Sequence, residues 1–319
     1  TQAVFNTMTA RWDMSLCGGG LRWQIFQWNS GYDYKNSVSN GCLFHIGARL
    51  ARYTANDTYM DWAEKVWDWM VDTDLIEEGA YWGNQGGLLT NGQPYYFVYD
   101  GAKVEYNCSN VTKLNWSYNQ GLFLAGSAYL YNYTGSDIWF NRTAAVRRGS
   151  EVFFYNNSVM YEVACQGLTK VSCNNDQRSF KAYFSRFLGL TSVMFPESND
   201  LIRGWLVDSA NAAAHSCSGG TDGHTCGLAW TNGSWDGYYG LGEQMSALEV
   251  MINLNVNDRP PPYTAENGGR SQAHPASGYS VTKTDEKPLA LHSTHVAVAS
   301  ILTVFIPAYI IGTAVWFLN

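Results

Sequence analysis

The feature that most constrains this chain is a helical hairpin pattern that occurs three times along it. Apolar residues recur every three or four positions in paired segments separated by a short polar turn, over residues 42–70, 122–144 and 180–205. This spacing places the apolar side chains on one face of each helix and predicts antiparallel helix pairs. Further helices are predicted over residues 1–12 and from about residue 239 to 254. The predicted fold class is therefore all-α.

The turns inside the three hairpins are similar to one another. Each has an aromatic residue, then Thr or Pro, and then a polar residue that can cap the next helix, at residues 53–57, 133–137 and 195–199. Links between hairpins are longer and rich in aromatic residues, so they should gather at one end of the fold and form a binding face there. The longest link, residues 74–115, predicts a small hairpin of strands around Asn91-Gly92.

The composition argues against some classes of ligand. The net charge is −7 and no basic stripe is present, which disfavours nucleic acid as a partner. No phosphate-binding loop, nucleophile elbow or zinc-protease motif occurs, so no cofactor is predicted. The chain has 13 Trp and 21 Tyr among its 319 residues. Aromatic residues at this density can fill a core, and they also suit an uncharged polar ligand that has apolar faces.

Glycosylation sequons and cysteines indicate a secreted chain. Seven cysteines accompany predicted glycosylation sites at Asn56, Asn107, Asn110, Asn115, Asn132, Asn141, Asn156 and Asn232. Both features favour passage through the secretory pathway. The chain begins at Thr1 without a signal segment, which predicts a mature form or a fragment of a longer protein.

Two short cysteine spacings predict disulfide bonds, Cys165 to Cys173 and Cys217 to Cys226. A zinc site made from the second pair and its neighbouring histidines is the alternative that this spacing leaves open. The oxidising compartment favours the disulfide, so no metal site is predicted. Three further cysteines remain, and the sequence does not decide how they pair: Cys17, Cys42 and Cys108.

Residues 116–121 bring aromatic, hydroxyl and amide side chains together where a turn-rich loop is predicted to meet a helix starting at about Leu122. A pyranose has apolar C–H faces and a ring of hydroxyls, so it needs flat aromatic surface beside hydrogen-bonding groups. The alternative is that these residues are core aromatics and a helix cap. Similar loops occur elsewhere, and together they supply the predicted substrate-binding residues Trp23, Asp100, Trp116, Tyr118, Asn119, Gln120, Trp235 and Asp236.

Four motifs in a fixed order carry a family resemblance: Cys-Gly-Gly-Gly-Leu-Arg-Trp at 17–23, Tyr-Asp-Gly at 99–101, Cys108, and Trp-Ser-Tyr-Asn-Gln-Gly at 116–121. Over residues 1–257 the chain resembles glycoside hydrolase family 76, in particular its fungal cell-wall branch of mannan endo-1,6-alpha-mannosidases and transglycosylases. The resemblance implies an (alpha/alpha)6 barrel of alternating inner and outer helices. It also implies a cleft that binds alpha-1,6-mannan or the mannose of a glycolipid anchor.

The chain departs from that family at the catalytic residues. Family members have two adjacent aspartates, thought to act as nucleophile and acid/base, and glycoside hydrolysis normally needs two such carboxyls. This sequence contains no Asp-Asp pair, and the nearest similar motif, residues 174–177, lies in a late loop. No catalytic residue is therefore assigned. The simplest interpretation places the pair, with roughly four helices, upstream of Thr1.

The composition changes after the predicted glycosidase domain, residues 1–257. Residues 258–294 predict a flexible linker, and residues 295–319 an uncharged apolar tail that is long enough to span a bilayer. The tail predicts a glycolipid-anchor signal, with a transmembrane helix as the alternative. We therefore predict a monomeric mannan-type glycosidase at the outer face of the plasma membrane or in the cell wall. The alternative function is a carbohydrate-binding surface protein without catalysis.

Overall fold

The structure, a computed structural model, describes residues 1–78, 93–156, 158–166, 171–269, 278 and 292–318. The chain divides into two units, Thr1–Gln24 with Ser30–Val281, and Ile25–Asn29 with Thr282–Asn319. The helices of the first unit are α1 (Gln2–Thr9), α2 (Ser37–Thr54), α3 (Asp57–Asp72), α4 (Ser117–Thr134), α5 (Asp137–Gly149), α6 (Phe180–Met194), α7 (Asn199–Ser216) and α8 (Leu241–Ile252).

The helices of the first unit form two layers. Helices α2, α4, α6 and α8 lie side by side in an inner layer, and α3, α5 and α7 each pack behind the helix that precedes them. Phe44 of α2 stacks on Phe123 of α4, with 5.0 Å between ring centroids. Glycine permits this close approach, because a Cβ at Gly126 of α4 would lie 2.4 Å from the Phe44 ring. The predicted all-α class and the alternation of inner and outer helices are confirmed.

Side-chain caps explain the first two hairpin turns. Asn56 accepts a hydrogen bond from the backbone N–H of Thr58 at the start of α3. Ser136 accepts one from the N–H of Ile138 at the start of α5. Just before it, Gly135 adopts the left-handed conformation, with φ of 63°, and ends α4. Each cap stabilises its helix by about 1 kcal/mol, and the turns predicted at these places are confirmed.

Two helices are shorter than predicted. Helix α1 ends at Thr9 because the backbone then forms a tighter turn, in which the N–H of Trp12 donates to the carbonyl of Thr9, three residues earlier. Helix α8 begins only after Gly240, whose φ of 153° interrupts helical geometry. A 3-10 helix, Asn253–Asp258, then replaces its predicted last residues.

A small antiparallel sheet combines three strands of the longest link between hairpins with one strand that precedes α2. Its central strand β3 (Tyr96–Lys103) pairs with β1 (Tyr34–Asn36), β2 (Ile76–Glu78) and β4 (Val111–Asn115). A second pair, β5 (Phe154–Tyr155) and β6 (Val159–Met160), follows α5. The turn predicted at Asn91-Gly92 lies outside the described residues. The sheet places β3 next to the start of α4.

Disulfide bonds join Cys165 to Cys173 and Cys217 to Cys226, the two pairs that the short spacings predict. The second bond removes the thiolates that the alternative zinc site would need. Among the three cysteines left open by the sequence, Cys17 bonds to Cys108 across 91 residues, and Cys42 is free. The Cys17–Cys108 bond therefore joins the glycine-rich loop before β1 to the segment between β3 and β4.

The second unit contains α9, Ser293–Leu318, which is apolar on all sides and has Pro307 in its interior. Of the described helices it is the one long and apolar enough to cross a membrane, judged by length and composition alone. Its window Ser293–Val315 is 23 residues long.

Candidate functional site

The N-terminal ends of α2, α4 and α6 bring a carboxyl group and several aromatic rings together. We call this group the carboxyl–aromatic cluster, and its members are Tyr34, Asp100, Trp116, Tyr118 and Phe180. Sequence analysis predicted three of the five and missed Tyr34 and Phe180. The aromatic pattern around β1 was a usable signal for Tyr34, whereas nothing local distinguished Phe180 from an ordinary core residue.

Asp100 lies at an irregular point of β3. The register with β4 shifts between Tyr99 and Gly101, because two residues of β4, Lys113 and Leu114, lie opposite Asp100 alone. The Tyr34 hydroxyl donates to Oδ2 of Asp100 at 2.8 Å, and the Trp116 side chain also hydrogen-bonds this carboxyl. Burial raises the pKa of Asp100, and these two hydrogen bonds oppose the rise. The result is a half-buried carboxyl group in a fixed orientation.

Tyr118 and Trp116 form the aromatic wall beside Asp100. Tyr118 packs on Phe180 with 4.1 Å between ring centroids, and Trp116 meets the same ring edge to face at 5.4 Å. Burial, with the nearby carboxyls of Asp100 and Glu162, raises the pKa of Tyr118. The phenol therefore stays protonated and can donate a hydrogen bond. A flat ring next to a fixed carboxyl is the combination that a pyranose needs.

Trp23 extends this wall outward. Its ring is 49% exposed and contacts Tyr34 edge to face, with 6.4 Å between centroids. The buried Lys35, next to Tyr34 in β1, donates to the carbonyl of Leu16 at 2.8 Å and to that of Gly19 at 2.6 Å. These contacts hold the glycine-rich loop that leads into Trp23.

The helix that contains residues 117–121 starts earlier than predicted, and this changes two of the predicted contacts. Because α4 begins at Ser117, Asn119 and Gln120 lie in its first turns and are fully buried. The Gln120 amide accepts from Val98 N at 3.0 Å and donates to the carbonyl of Val146 at 2.9 Å. This geometry gives Gln120 a structural role, tying α4 to β3 and α5, in place of the predicted sugar contact. Asn119 likewise has no exposed surface for a sugar.

Asp236 has a structural role, and the predicted sugar contact at this residue stays a prediction. Its carboxylate accepts hydrogen bonds from the backbone N–H groups of Ala229 at 2.6 Å, Leu228 at 3.2 Å and Tyr238 at 3.1 Å. These donors occupy both oxygens and shape the loop. Trp235 remains 36% exposed on that loop, so it is free to contact a ligand.

The predicted glycosylation sites differ in accessibility. Seven of the asparagines have exposed side chains: Asn56, Asn107, Asn110, Asn132, Asn141, Asn156 and Asn232. Asn115 is half-buried, and its Nδ2 atom, where a glycan would attach, is out of contact with solvent. The folded structure therefore disfavours a glycan at Asn115, and the other seven stay predictions.

Comparisons with known proteins agree with this architecture. The layered hairpins with a carboxyl–aromatic cluster at one end define an α/α-barrel glycoside hydrolase. Residues 1–266 match glycosyl hydrolase family 76, and the chain belongs to this family.

Curated relatives include fungal mannosidases. The mannan endo-1,6-alpha-mannosidase DCW1 of Candida albicans is 60% identical over 320 residues, which cover 99% of this chain and 67% of the relative. DCW1 of Saccharomyces cerevisiae is 58% identical, over 99% of this chain and 66% of the relative. The chain thus spans about two thirds of the length of these relatives.

Solved structures show the same fold. Dfg5 from Chaetomium thermophilum, in complex with glucosamine, has a TM-score of 0.77 and 37% identity, covering 87% of this chain and 65% of that chain. An alpha-1,6-mannanase of Salegentibacter, solved with alpha-1,6-mannotriose as an inactive variant in which two adjacent aspartates are replaced, has a TM-score of 0.59. It is 17% identical and covers 79% of this chain and 66% of that chain, so this likeness concerns the fold alone.

Proposed function

We propose that this chain forms the substrate cleft of a mannan endo-1,6-alpha-mannosidase, or of a transglycosylase with the same specificity, that acts in cell-wall biogenesis. The observation that carries the proposal is the carboxyl–aromatic cluster, which lies at one end of the inner helices in a chain 60% identical to a protein with the first activity. Its substrate class is alpha-1,6-linked mannan or the mannose of a glycolipid anchor.

The chemistry of hydrolysis limits what this chain does alone. Glycoside hydrolysis needs one carboxyl as acid and a second as nucleophile or base. Asp100 is half-buried, whereas the nearby Glu162 is fully buried. The chain has no adjacent aspartates of the kind replaced in the inactive mannanase variant. In this proposal Asp100 binds sugar hydroxyls, and the reactive pair is not among the 319 residues.

Replacing Asp100 with Asn is expected to weaken binding of alpha-1,6-mannotriose by roughly tenfold to a hundredfold. The amide keeps the shape of the carboxyl but loses hydrogen bonds to a charged acceptor, each worth about 1.5–3 kcal/mol. Isothermal titration calorimetry measures the affinity. Asp176→Asn is the matched control, because Asp176 is an exposed loop residue.

The same experiment tests the proposed function. If the unmodified chain does not bind mannotriose at millimolar concentration, the cleft is not a mannan site. Cleavage of alpha-1,6-mannan by this chain would show that one of its own carboxyls is catalytic. The alternative function, a carbohydrate-binding surface protein without catalysis, is favoured by the missing aspartate pair. This alternative predicts that fusing the chain to the remaining third of a relative's sequence restores no cleavage of alpha-1,6-mannan.

The apolar helix α9 supports a location at the cell surface. In this proposal residues 258–294 are a linker, and the tail of residues 295–319 directs attachment of a glycolipid anchor to a monomeric, extracellular protein. Phosphatidylinositol-specific phospholipase C is then expected to release the protein from intact membranes, as followed by immunoblot. Release only by detergent would instead mean that α9 persists as a transmembrane helix.

A further inference from the structure

Helix α4 lacks a cap of its own. The residue at its N-cap position is Trp116, which makes no capping hydrogen bond, although α3 and α5 are capped by Asn56 and Ser136. The first amide groups of a helix have no partners within the helix, so they need an acceptor from elsewhere. Trp116 occupies this position while its side chain hydrogen-bonds Asp100 in the cleft.

Glu162, 45 residues further along the chain, supplies the missing acceptor. One carboxyl oxygen accepts from the Ser117 N–H at 2.8 Å, and the other accepts from the Ser117 hydroxyl at 2.5 Å. The Glu162 side chain has no exposed surface. Burial raises the pKa of Glu162 to about 7, and the two hydrogen bonds from Ser117 oppose the rise.

Glu162 is itself held by a buried polar network. Its N–H donates to Oε1 of Gln166 at 2.6 Å, and the Gln166 amide donates to the carbonyl of Leu228 at 3.1 Å. Lys181 of α6 donates to the same carbonyl and lies 3.9 Å from the centre of the Trp230 ring. The starts of α4 and α6 and the Leu228 loop are therefore tied together below the cleft.

We infer that Glu162 is a positioning residue for the cleft: by capping α4 from a distance, it fixes the first turn of that helix and so orients Trp116 and Tyr118. This inference rests on the proposed function only in naming mannan as the ligand. A fully buried carboxyl is a costly way to cap a helix, since a Ser or Asp at position 116 would do the same with less desolvation. The cost is explained if the side chain at position 116 has to be the indole that faces Asp100.

The test compares Glu162→Ala with Glu162→Gln, which keeps an oxygen acceptor for the Ser117 N–H. Glu151→Gln is the matched control, because Glu151 is a partly buried carboxyl whose partner is Arg147, at 2.6 Å, and not Ser117. The readouts are mannotriose affinity and hydrogen–deuterium exchange in the peptide that covers residues 116–121.

For Glu162→Ala we expect at least a tenfold loss of affinity and at least tenfold faster exchange in residues 116–121. Glu162→Gln should recover both to within about threefold of the unmodified protein, and Glu151→Gln should change neither. If Glu162→Ala does not fold, Ser117→Ala, which removes one of the two contacts, should still give about a threefold effect in the same direction.

Unchanged exchange in residues 116–121 of a folded Glu162→Ala or Ser117→Ala variant would overturn the inference. Equal losses of affinity in Glu162→Gln and Glu162→Ala, or in Glu151→Gln, would also overturn it. If the unmodified protein binds no mannotriose, the proposed function fails, yet the exchange measurement still decides whether Glu162 positions this turn.

Discussion

Replacing His45 with Leu is expected to reduce the acid sensitivity of the folded helical unit. His45 lies on α2 and is 7% exposed, with its ring edge to face against Phe187 at 5.2 Å and Tyr129 at 5.8 Å between centroids. Its Nε2 atom has no hydrogen-bond partner within the described part of the chain. Burial, helped by the positive charge of Arg49, lowers the pKa of His45 from 6.5 to about 3.

The direction of the effect follows from proton binding. Between pH 6.5 and about 3, the unfolded chain binds a proton at His45 that the folded chain does not. The contribution to stability is therefore fully present above pH 6.5 and is lost as the pH falls toward 3. At about 1.4 kcal/mol per pKa unit, the loss from this one group amounts to roughly 4–5 kcal/mol.

Urea unfolding at several pH values between 7 and 3.5 measures the effect. The free energy of unfolding of His45→Leu should fall much less steeply with acid than that of the unmodified protein. His224→Leu is the control, because His224 is exposed and should leave the slope unchanged. Parallel slopes for His45→Leu and the unmodified protein would mean that another buried group dominates acid unfolding.

Replacing both Cys17 and Cys108 with Ser is expected to lower the free energy of unfolding by about 4–5 kcal/mol. Their bond closes a loop of 91 residues, and chain entropy makes long loops the most costly to release. The Cys165–Cys173 bond closes only 8 residues, so its removal should cost about 2–3 kcal/mol by the same relation. The longer bond also anchors the loop whose Cys17 carbonyl accepts from the Trp69 indole at 2.9 Å.

Denaturant titrations under oxidising conditions measure the two losses of stability, one for the variant with Ser at Cys17 and Cys108 and one for the variant with Ser at Cys165 and Cys173. Cys42→Ser controls for the free thiol, since Cys42 forms no disulfide within the described residues. Equal losses from the long and the short bond would contradict the loop-entropy argument and indicate that local packing around each bond determines its contribution.

The positions of the hairpins could be predicted because helical periodicity is a local property. Apolar residues at helical spacing gave α2 with α3, α4 with α5, and α6 with α7, together with the capped turns inside the first two pairs. The two short disulfides were predictable for the same reason, since their partners are close in sequence. The family resemblance rested on ordered motifs and was confirmed by the match over residues 1–266.

The candidate site could be predicted only in part. Asp100, Trp116 and Tyr118 come together as expected, but the irregular register opposite Asp100 depends on pairing between β3 and β4. Judged from the sequence, the polar side chains of Gln120 and Asp236 suited a sugar as well as those of the cluster. In the structure both side chains form hydrogen bonds with backbone groups. Sequence shows which groups are able to form hydrogen bonds, and only packing shows which partners they have.

By itself, the sequence determined the helical class, the hairpin unit and the family of this chain, because all of these follow from local patterns and motif order. The tertiary structure alone decided where α4 begins, since its cap is a carboxyl 45 residues away in the chain. In the first turns of that helix Asn119 and Gln120 have no exposed surface, whereas Trp116 and Tyr118 contact Phe180. Which side chains reach the cleft is therefore a consequence of long-range contacts.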